Sequence, residues 1–331
     1  MKRILSFLFA LTLLVGSVGA LADGQTPSIC IVVAGTLGDR SFYDSAYEGI
    51  QTLARDYGTD VNCIECGEDS SLYEQALYEA AENYDMIAAV GWQFWDALAD
   101  ENGVLSVYPE KRFLFIDNAL DEIPDNLVCI TYSQNEGSFL AGYVAASLSE
   151  SGVIGVVGGE DSDTINDFIV GYEAGAQFKN PEIRVLRQYA NTYEDPAKGK
   201  ECARALYDMG ADVVFAVAGR TGEGVFAAAR EVNRLAIGVD GDQKYIDPER
   251  IICSMVKRVG QSIYDMVADP DTNWCGGQVF EATMESGYIA LAYGTEDMPQ
   301  QVSDELKAEI ETIRQQIIDG AIVVPSAFDG N

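Results

Sequence analysis

Short apolar runs recur along the chain, and stretches with apolar positions three and four apart fill the gaps between them. The runs predict strands at 28–34, 60–65, 86–90, 112–117 and 127–131, and again at 153–157, 183–188, 212–217, 235–239 and 250–254. Between them, "SSLYEQALYEAAENY" and "DPAKGKECARALYDMGA" read as amphipathic helices. In the second, Cys202, Leu206 and Met209 recur at helical spacing. Strand and helix alternating, with strands apolar throughout, predicts parallel sheets covered by helices on both faces. The series also restarts. The turn and helix at 35–49 follow the first strand, and "GGEDSDTINDFIVGYEAG" follows "VIGVV" in the same manner. The expectation is an α/β chain of two doubly wound lobes, joined by a hinge near the short polar passage "ITYSQNEGSF". Ligands of such sheets sit at the carboxyl ends of the strands, so the cleft between two facing lobes is the natural site.

The first 22 residues stand outside this alternation. Lys2 and Arg3 precede an apolar run at 4–15, too short for a comfortable membrane span, and Ala20-Leu21-Ala22 matches an A-x-A cleavage site. This reads as a secretory signal, with Asp23 opening the mature chain. No other segment has eighteen consecutive apolar residues, so the exported protein is expected to be soluble.

Composition narrows the function. The chain has 331 residues, with 53 Asp+Glu against 21 Lys+Arg and a formal net charge of −32. Nucleic acid and anionic lipid surfaces both need a basic face, which this balance argues against. There is no histidine. That removes Ser-His-Asp and Cys-His catalysis and every His-ligated metal site. Seven cysteines cannot all pair within one chain. Cys30, Cys129 and Cys253 lie in strand-like runs and read as small core residues. Cys63 and Cys66 form a lone C-x-x-C, open to zinc, to a disulfide or to unpaired thiols. No cofactor and no metal site is expected.

Candidate chemistry gathers at strand ends. "GTLGDRSFYDSAYEG" turns from strand to helix, with Asp39 and Ser41 as N-cap candidates and Ser41-x-x-Asp44 approximating a capping box. A tight phosphate turn would carry small residues, yet Phe42 and Tyr43 stand here. Either one of them staples the helix entry or they form a platform for a flat ligand, since a ring stacked on an aromatic face gains about 1–3 kcal/mol. "VGWQFWDAL" repeats the arrangement, with Gly91 permitting close approach and Trp92 and Phe94 behind it. Asp117 ends the strand "RFLFID", where it either caps a turn or accepts hydrogen bonds from a ligand. Gly219, Gly222 and Gly224 in "AGRTGEGVF" do not make the dinucleotide fingerprint G-x-G-x-x-G, and close approach to a neutral ligand suits them better. Asp240 and Lys257 each fall at a strand end, where they form a plain ion pair or share a diol, the Asp accepting from the hydroxyls and the Lys donating to them.

Taken in order, "GTLGDRSFYDSAYEG", "FLFID", "EGSFLAGYVAA", "GADVVFAVAGRTGEGVF", "IGVDGDQ" and "SMVKRV" resemble the basic-membrane-protein family, the PnrA-like purine nucleoside binders among ABC-transporter substrate-binding proteins. The resemblance covers roughly 28–267 and continues more faintly to "GAIVVPSA". It implies a type I periplasmic-binding-protein fold, with 27–133 plus about 253–276 in the first lobe and 134–252 plus about 277–331 in the second. It also implies a purine nucleoside of the inosine, guanosine or adenosine type in the cleft, an ABC permease as membrane partner, and a monomer. Asp39 and Phe42 would contact the ligand, Asp117 would read the base edge, and Gly219, Asp240 and Lys257 would hold the ribose. Phe168 would supply a second aromatic face. Two departures stand out. Tyr43 occupies a position where family members commonly carry Asn. Ala22-Asp23 stands where many members have a lipid-bearing Cys, which points to a freely soluble, periplasmic or extracellular protein. Two other readings compete: a two-lobed receptor for another small ligand feeding a sensor, and a carboxylate-based nucleoside hydrolase.

Overall fold

The computed structural model describes residues 26–269 and 273–329. The signal sequence expected at 1–22 lies outside them. In chain order the first half runs β1 (Ile29–Val33), α1 (Phe42–Tyr57), β2 (Val61–Glu65), α2 (Tyr73–Asn83), β3 (Met86–Val90), the short α3 (Trp95–Ala99) and α4 (Val104–Val107), β4 (Arg112–Ile116) and β5 (Leu127–Tyr132). Next come α5 (Gln134–Leu148), β6 (Val153–Gly158), α6 (Asp163–Lys179), β7 (Arg184–Tyr189), α7 (Pro196–Asp208), β8 (Val213–Val217), α8 (Gly222–Val232), β9 (Leu235–Asp240) and β10 (Ile251–Lys257). The chain ends with α9 (Val259–Ala268), β11 (Gln278–Ala282), β12 (Ile289–Ala292) and α10 (Asp304–Ile318).

Two six-stranded sheets result, ordered β11-β5-β4-β3-β1-β2 and β12-β10-β9-β8-β6-β7. All pairings are parallel except β12 against β10. Every residue of β1, β3, β8 and β10 is buried, as the unbroken apolar runs require when helices cover both faces. Each fully buried Ile, Val or Leu contributes about 1.5–3 kcal/mol. The architecture is two doubly wound lobes with a cleft between them, the layout that the resemblance implies.

The tail of the chain departs from expectation. β10, expected with the first lobe, pairs with β9 in the second sheet, and β11, expected with the second lobe, pairs with β5 in the first. The helix between them, α9, packs on α1 of the first lobe. There Gly49 and Gly260 let the backbones touch: a Cβ on Gly49 would lie 2.3 Å from the Gly260 carbonyl oxygen. The chain therefore crosses between lobes after Tyr132, after Lys257 and after Ala282. An apolar run announces a strand, but which sheet edge it joins is decided by long-range pairing.

Strands β11 and β12 were not expected, because "QVFEA" and "IALA" are short, edge-located and only partly buried. Met209, expected on the buried stripe of α7, instead caps the helix end and is 49% exposed, whereas Leu206 is buried. All seven cysteines are free thiols, with Cys30, Cys129 and Cys253 fully buried in strands as expected. No helix among the described residues is long and apolar enough to cross a membrane, and these residues contain no group of three or more Cys, Asp or Glu side chains placed to hold a metal ion.

Candidate functional site

Eleven parallel strands, six in the first sheet and five in the second, aim their carboxyl ends at the space between the lobes, and a cavity of about 610 Å³, mouth included, lies there. All ten residues expected at a binding site line it: Asp39, Phe42, Tyr43, Gly91, Trp92, Asp117, Phe168, Gly219, Asp240 and Lys257.

The β1–α1 turn solves its capping differently from the capping-box expectation. Ser41, at the N-cap, makes no capping bond. Asp39 caps instead, its carboxylate accepting from the backbone N–H groups of Ser41 (3.0 Å), Tyr43 (2.9 Å) and Asp44 (3.0 Å). Asp44 reaches back to the N–H groups of Gly38 (2.7 Å) and Arg40 (2.8 Å) rather than to that of Ser41. Burial pushes the Asp39 carboxyl up to about 7, against the pull of the three N–H donors. Of the two aromatics, Tyr43 packs into the core of the first lobe. A Cβ on Gly35 would lie 2.3 Å from its ring, so only glycine leaves room for it there. Phe42 meets Tyr43 edge-on at 5.4 Å and stays half-buried on the cavity wall.

Lys257 organises the charged part of the cavity. It is the last residue of β10, is 1% exposed, and donates from Nζ to Asp117 Oδ1 across the lobes. The rings of Tyr132, Phe168 and Phe42 surround Nζ at 4.7, 5.1 and 5.2 Å from their centroids. Aromatic faces favour a cation, most strongly where water is excluded. Asp240 sits beside this group at the end of β9, opposite Val256 in the register. Its direct partner is the Ser41 hydroxyl of the other lobe, not Lys257. Burial raises the Asp240 carboxyl to about 6, with Lys257 and Ser41 pulling down and Asp117 pushing up. Burial likewise outweighs Lys257 at Asp117 and raises its carboxyl, with a further push from Asp167. Both aspartates hold a left-handed backbone, φ 80° at Asp117 and 64° at Asp240, a conformation unusual for residues other than glycine. Strain of this kind persists where the surrounding structure over-determines it, often at functional sites. Two carboxylates against one ammonium leave an excess of acceptors, which hydroxyl or N–H donors would satisfy.

The lobes are closed on one another. Thr36 donates to Glu194, and Glu68 accepts from the Thr192 hydroxyl (2.8 Å) and the Tyr193 N–H (2.6 Å). Gln243 donates to the Arg40 carbonyl oxygen at 3.0 Å. Each of these bonds joins one lobe to the other.

Sequence reasoning missed Thr36, Gln93, Ile165, Tyr193, Glu194 and Arg220 on the cavity wall. Thr36, Gln93 and Ile165 stand inside or beside stretches already singled out. Tyr193 and Glu194 follow β7, whose amphipathic strand carries no motif, although the strand-end rule points there too.

A family model described as "ABC transporter substrate-binding protein PnrA-like" matches residues 26–327. Basic membrane protein A of Borreliella burgdorferi is 31% identical over 321 residues, covering 94% of this chain and 90% of that protein. The CD4+ T-cell-stimulating antigen of Listeria monocytogenes is 30% identical, covering 97% of each. Among solved structures, an ABC transporter solute-binding protein from Aeropyrum pernix K1 superposes with a TM-score of 0.80 at 26% identity, covering 90% of this chain and 93% of that one. One from Conexibacter woesei gives 0.73 at 23% identity, covering 91% and 99%, a likeness of fold. Family and neighbours alike are described as substrate-binding proteins, not enzymes.

Proposed function

The chain belongs to the Bmp family of PnrA-like ABC transporter substrate-binding proteins, and on that premise we propose that it captures a purine nucleoside between its lobes and delivers it to a permease. As a family member it is an extracytoplasmic solute-binding protein that takes a small ligand. The nucleoside, export with residues 1–22 removed and action as a soluble monomer belong to this reading.

One observation carries the nucleoside: a single cavity joins aromatic faces from both lobes, Phe42 and Trp92 on one side and Phe168 on the other, to the Asp117–Lys257–Asp240 cluster. A flat base would lie between rings, and a ribose diol would donate to the surplus carboxylate. In this reading Asp39 shapes the turn that presents Phe42. Gly219, with φ 52° and the Tyr193 carbonyl oxygen 3.4 Å from where its Cβ would be, lets the ligand approach the backbone.

A thermal-shift panel of nucleosides, free bases and sugars tests the proposal. Purine nucleosides are expected to raise the melting temperature most, and a panel in which sugars alone do so would overturn it. Incubation with inosine should release no free base. Phe42→Ala should weaken nucleoside binding by about 1–3 kcal/mol through lost stacking, with the fold retained. Unchanged affinity by calorimetry in the folded variant would make Phe42 a wall residue only.

A further inference from the structure

Buried polar groups are almost always hydrogen-bonded, so each exception in a cavity asks for a ligand. Among the described residues that line the cleft cavity, two side chains hold a buried polar atom without a partner: Gln93 Oε1 and the Tyr193 hydroxyl. They come from opposite lobes. Gln93 lies in the turn after β3, and Tyr193 in the loop after β7. Neither belongs to the Asp117–Lys257–Asp240 cluster.

Both side chains are positioned by their surroundings. Gly91 has φ 126°, and a Cβ there would lie 2.6 Å from Gln93 Oε1. The glycine thus leaves the space into which the carboxamide folds back over the turn. Tyr193 is pinned through its backbone, its N–H donating to Glu68 of the other lobe and its carbonyl accepting from Thr221 at 2.9 Å. Trp92 and Ser162 flank its hydroxyl, each outside good hydrogen-bonding geometry. Closure of the lobes therefore brings an unpaired amide oxygen and an unpaired hydroxyl to one cavity.

We infer that Gln93 and Tyr193 are a specificity-determining pair that reads the edge of the ligand's ring, one residue from each lobe. This rests on the nucleoside reading and deepens it. An amide oxygen needs an N–H, and a phenol can both donate and accept. The matching ligand carries an N–H on its ring edge for the amide oxygen and a donor or acceptor for the phenol. The ring amide of a 6-oxopurine such as inosine has this pattern, and so does the amidine edge of adenosine. Purine riboside keeps the ring, the sugar and the stacking surface but has no donor at that edge. A site built to bond a polar edge rejects the analogue lacking it, because its own buried groups stay unpaired.

The test is a set of calorimetric titrations of wild type, Gln93→Met and Tyr193→Phe with inosine and purine riboside. Wild type is expected to bind inosine at least about tenfold more tightly than purine riboside. Each variant should lose about tenfold for inosine and little for purine riboside, which narrows the gap. Both substitutions keep side-chain volume, and the wild-type comparison needs no variant to fold. Inosine and purine riboside bound equally well by wild type would overturn the pair. So would variants that keep wild-type affinity for inosine, or that lose both ligands equally. If wild type binds no nucleoside at all, the nucleoside reading fails and takes this pair with it. Inosine binding that the variants leave intact would overturn the pair alone.

Discussion

Lys257→Met is expected to abolish detectable nucleoside binding and to lower folding stability by about 3–5 kcal/mol. The ammonium is 1% exposed and bonds Asp117, with three aromatic rings around it and Asp240 alongside. Met fills the space and keeps the ring contacts, so the loss isolates the charge. Removing it leaves two buried carboxylates with no cation between them, and such carboxylates take up protons rather than stay ionised. The destabilisation should therefore be larger at pH 8 than at pH 5, where protonation relieves it. Urea denaturation of wild type and variant at both pH values measures this. A loss below about 1 kcal/mol, or one that does not change with pH, would show that the cluster does not depend on Lys257.

Asp240→Ala should lower affinity for inosine sharply and for hypoxanthine far less. Hydrogen bonds to a charged carboxylate contribute about 1.5–3 kcal/mol each, and the free base has no diol to lose. Because ligand would touch both lobes only when they close, binding should also compact the protein, visible by small-angle scattering. Equal losses for both ligands would remove Asp240 from the ribose. Acidity gives a second signature. The Asp240 carboxyl is raised to about 6 from an ordinary value of 3.8, so the folded chain holds that proton more tightly than the unfolded chain does. Between about pH 4 and pH 6 this group therefore makes the closed, ligand-free form more stable as pH falls. Nucleoside affinity should move the other way, weakening below about pH 6 as the protonated carboxyl gives up an acceptor. Asp240→Asn should flatten both trends, since an amide does not titrate.

The alternation of apolar runs with helical stretches carried the fold class, because a strand buried on both faces has to be apolar throughout. Ten strands and the restart of the series were legible for that reason. The strand-end rule then led to one cavity for the expected residues from Asp39 to Lys257, since parallel strands within a lobe end on the same rim; Phe168, inside α6, came from the family resemblance instead. The paired aromatics at glycine turns, Phe42 with Tyr43 and Trp92 with Phe94, were legible because a tight phosphate turn carries small residues instead.

Pairing between distant segments was not legible. The run containing Lys257 announced a strand, yet only tertiary structure put it beside β9 in the second sheet and sent the chain back to build β11 on the first. The same limit hid the partners of the charged groups. In sequence, Ser41 looks like a helix cap and Asp240 looks like the partner of Lys257. In three dimensions Asp39 takes over the cap, freeing the Ser41 hydroxyl for Asp240, and Lys257 turns to Asp117. Position alone points towards Gln93 and Tyr193, but nothing local shows that their polar atoms lack partners, for an unpaired polar atom is defined by everything that fails to surround it. Local periodicity is written by each segment's own need to bury one face. Partnership across the cleft depends on which segments the closed lobes bring within the roughly 2.7–3.2 Å over which hydrogen bonds form.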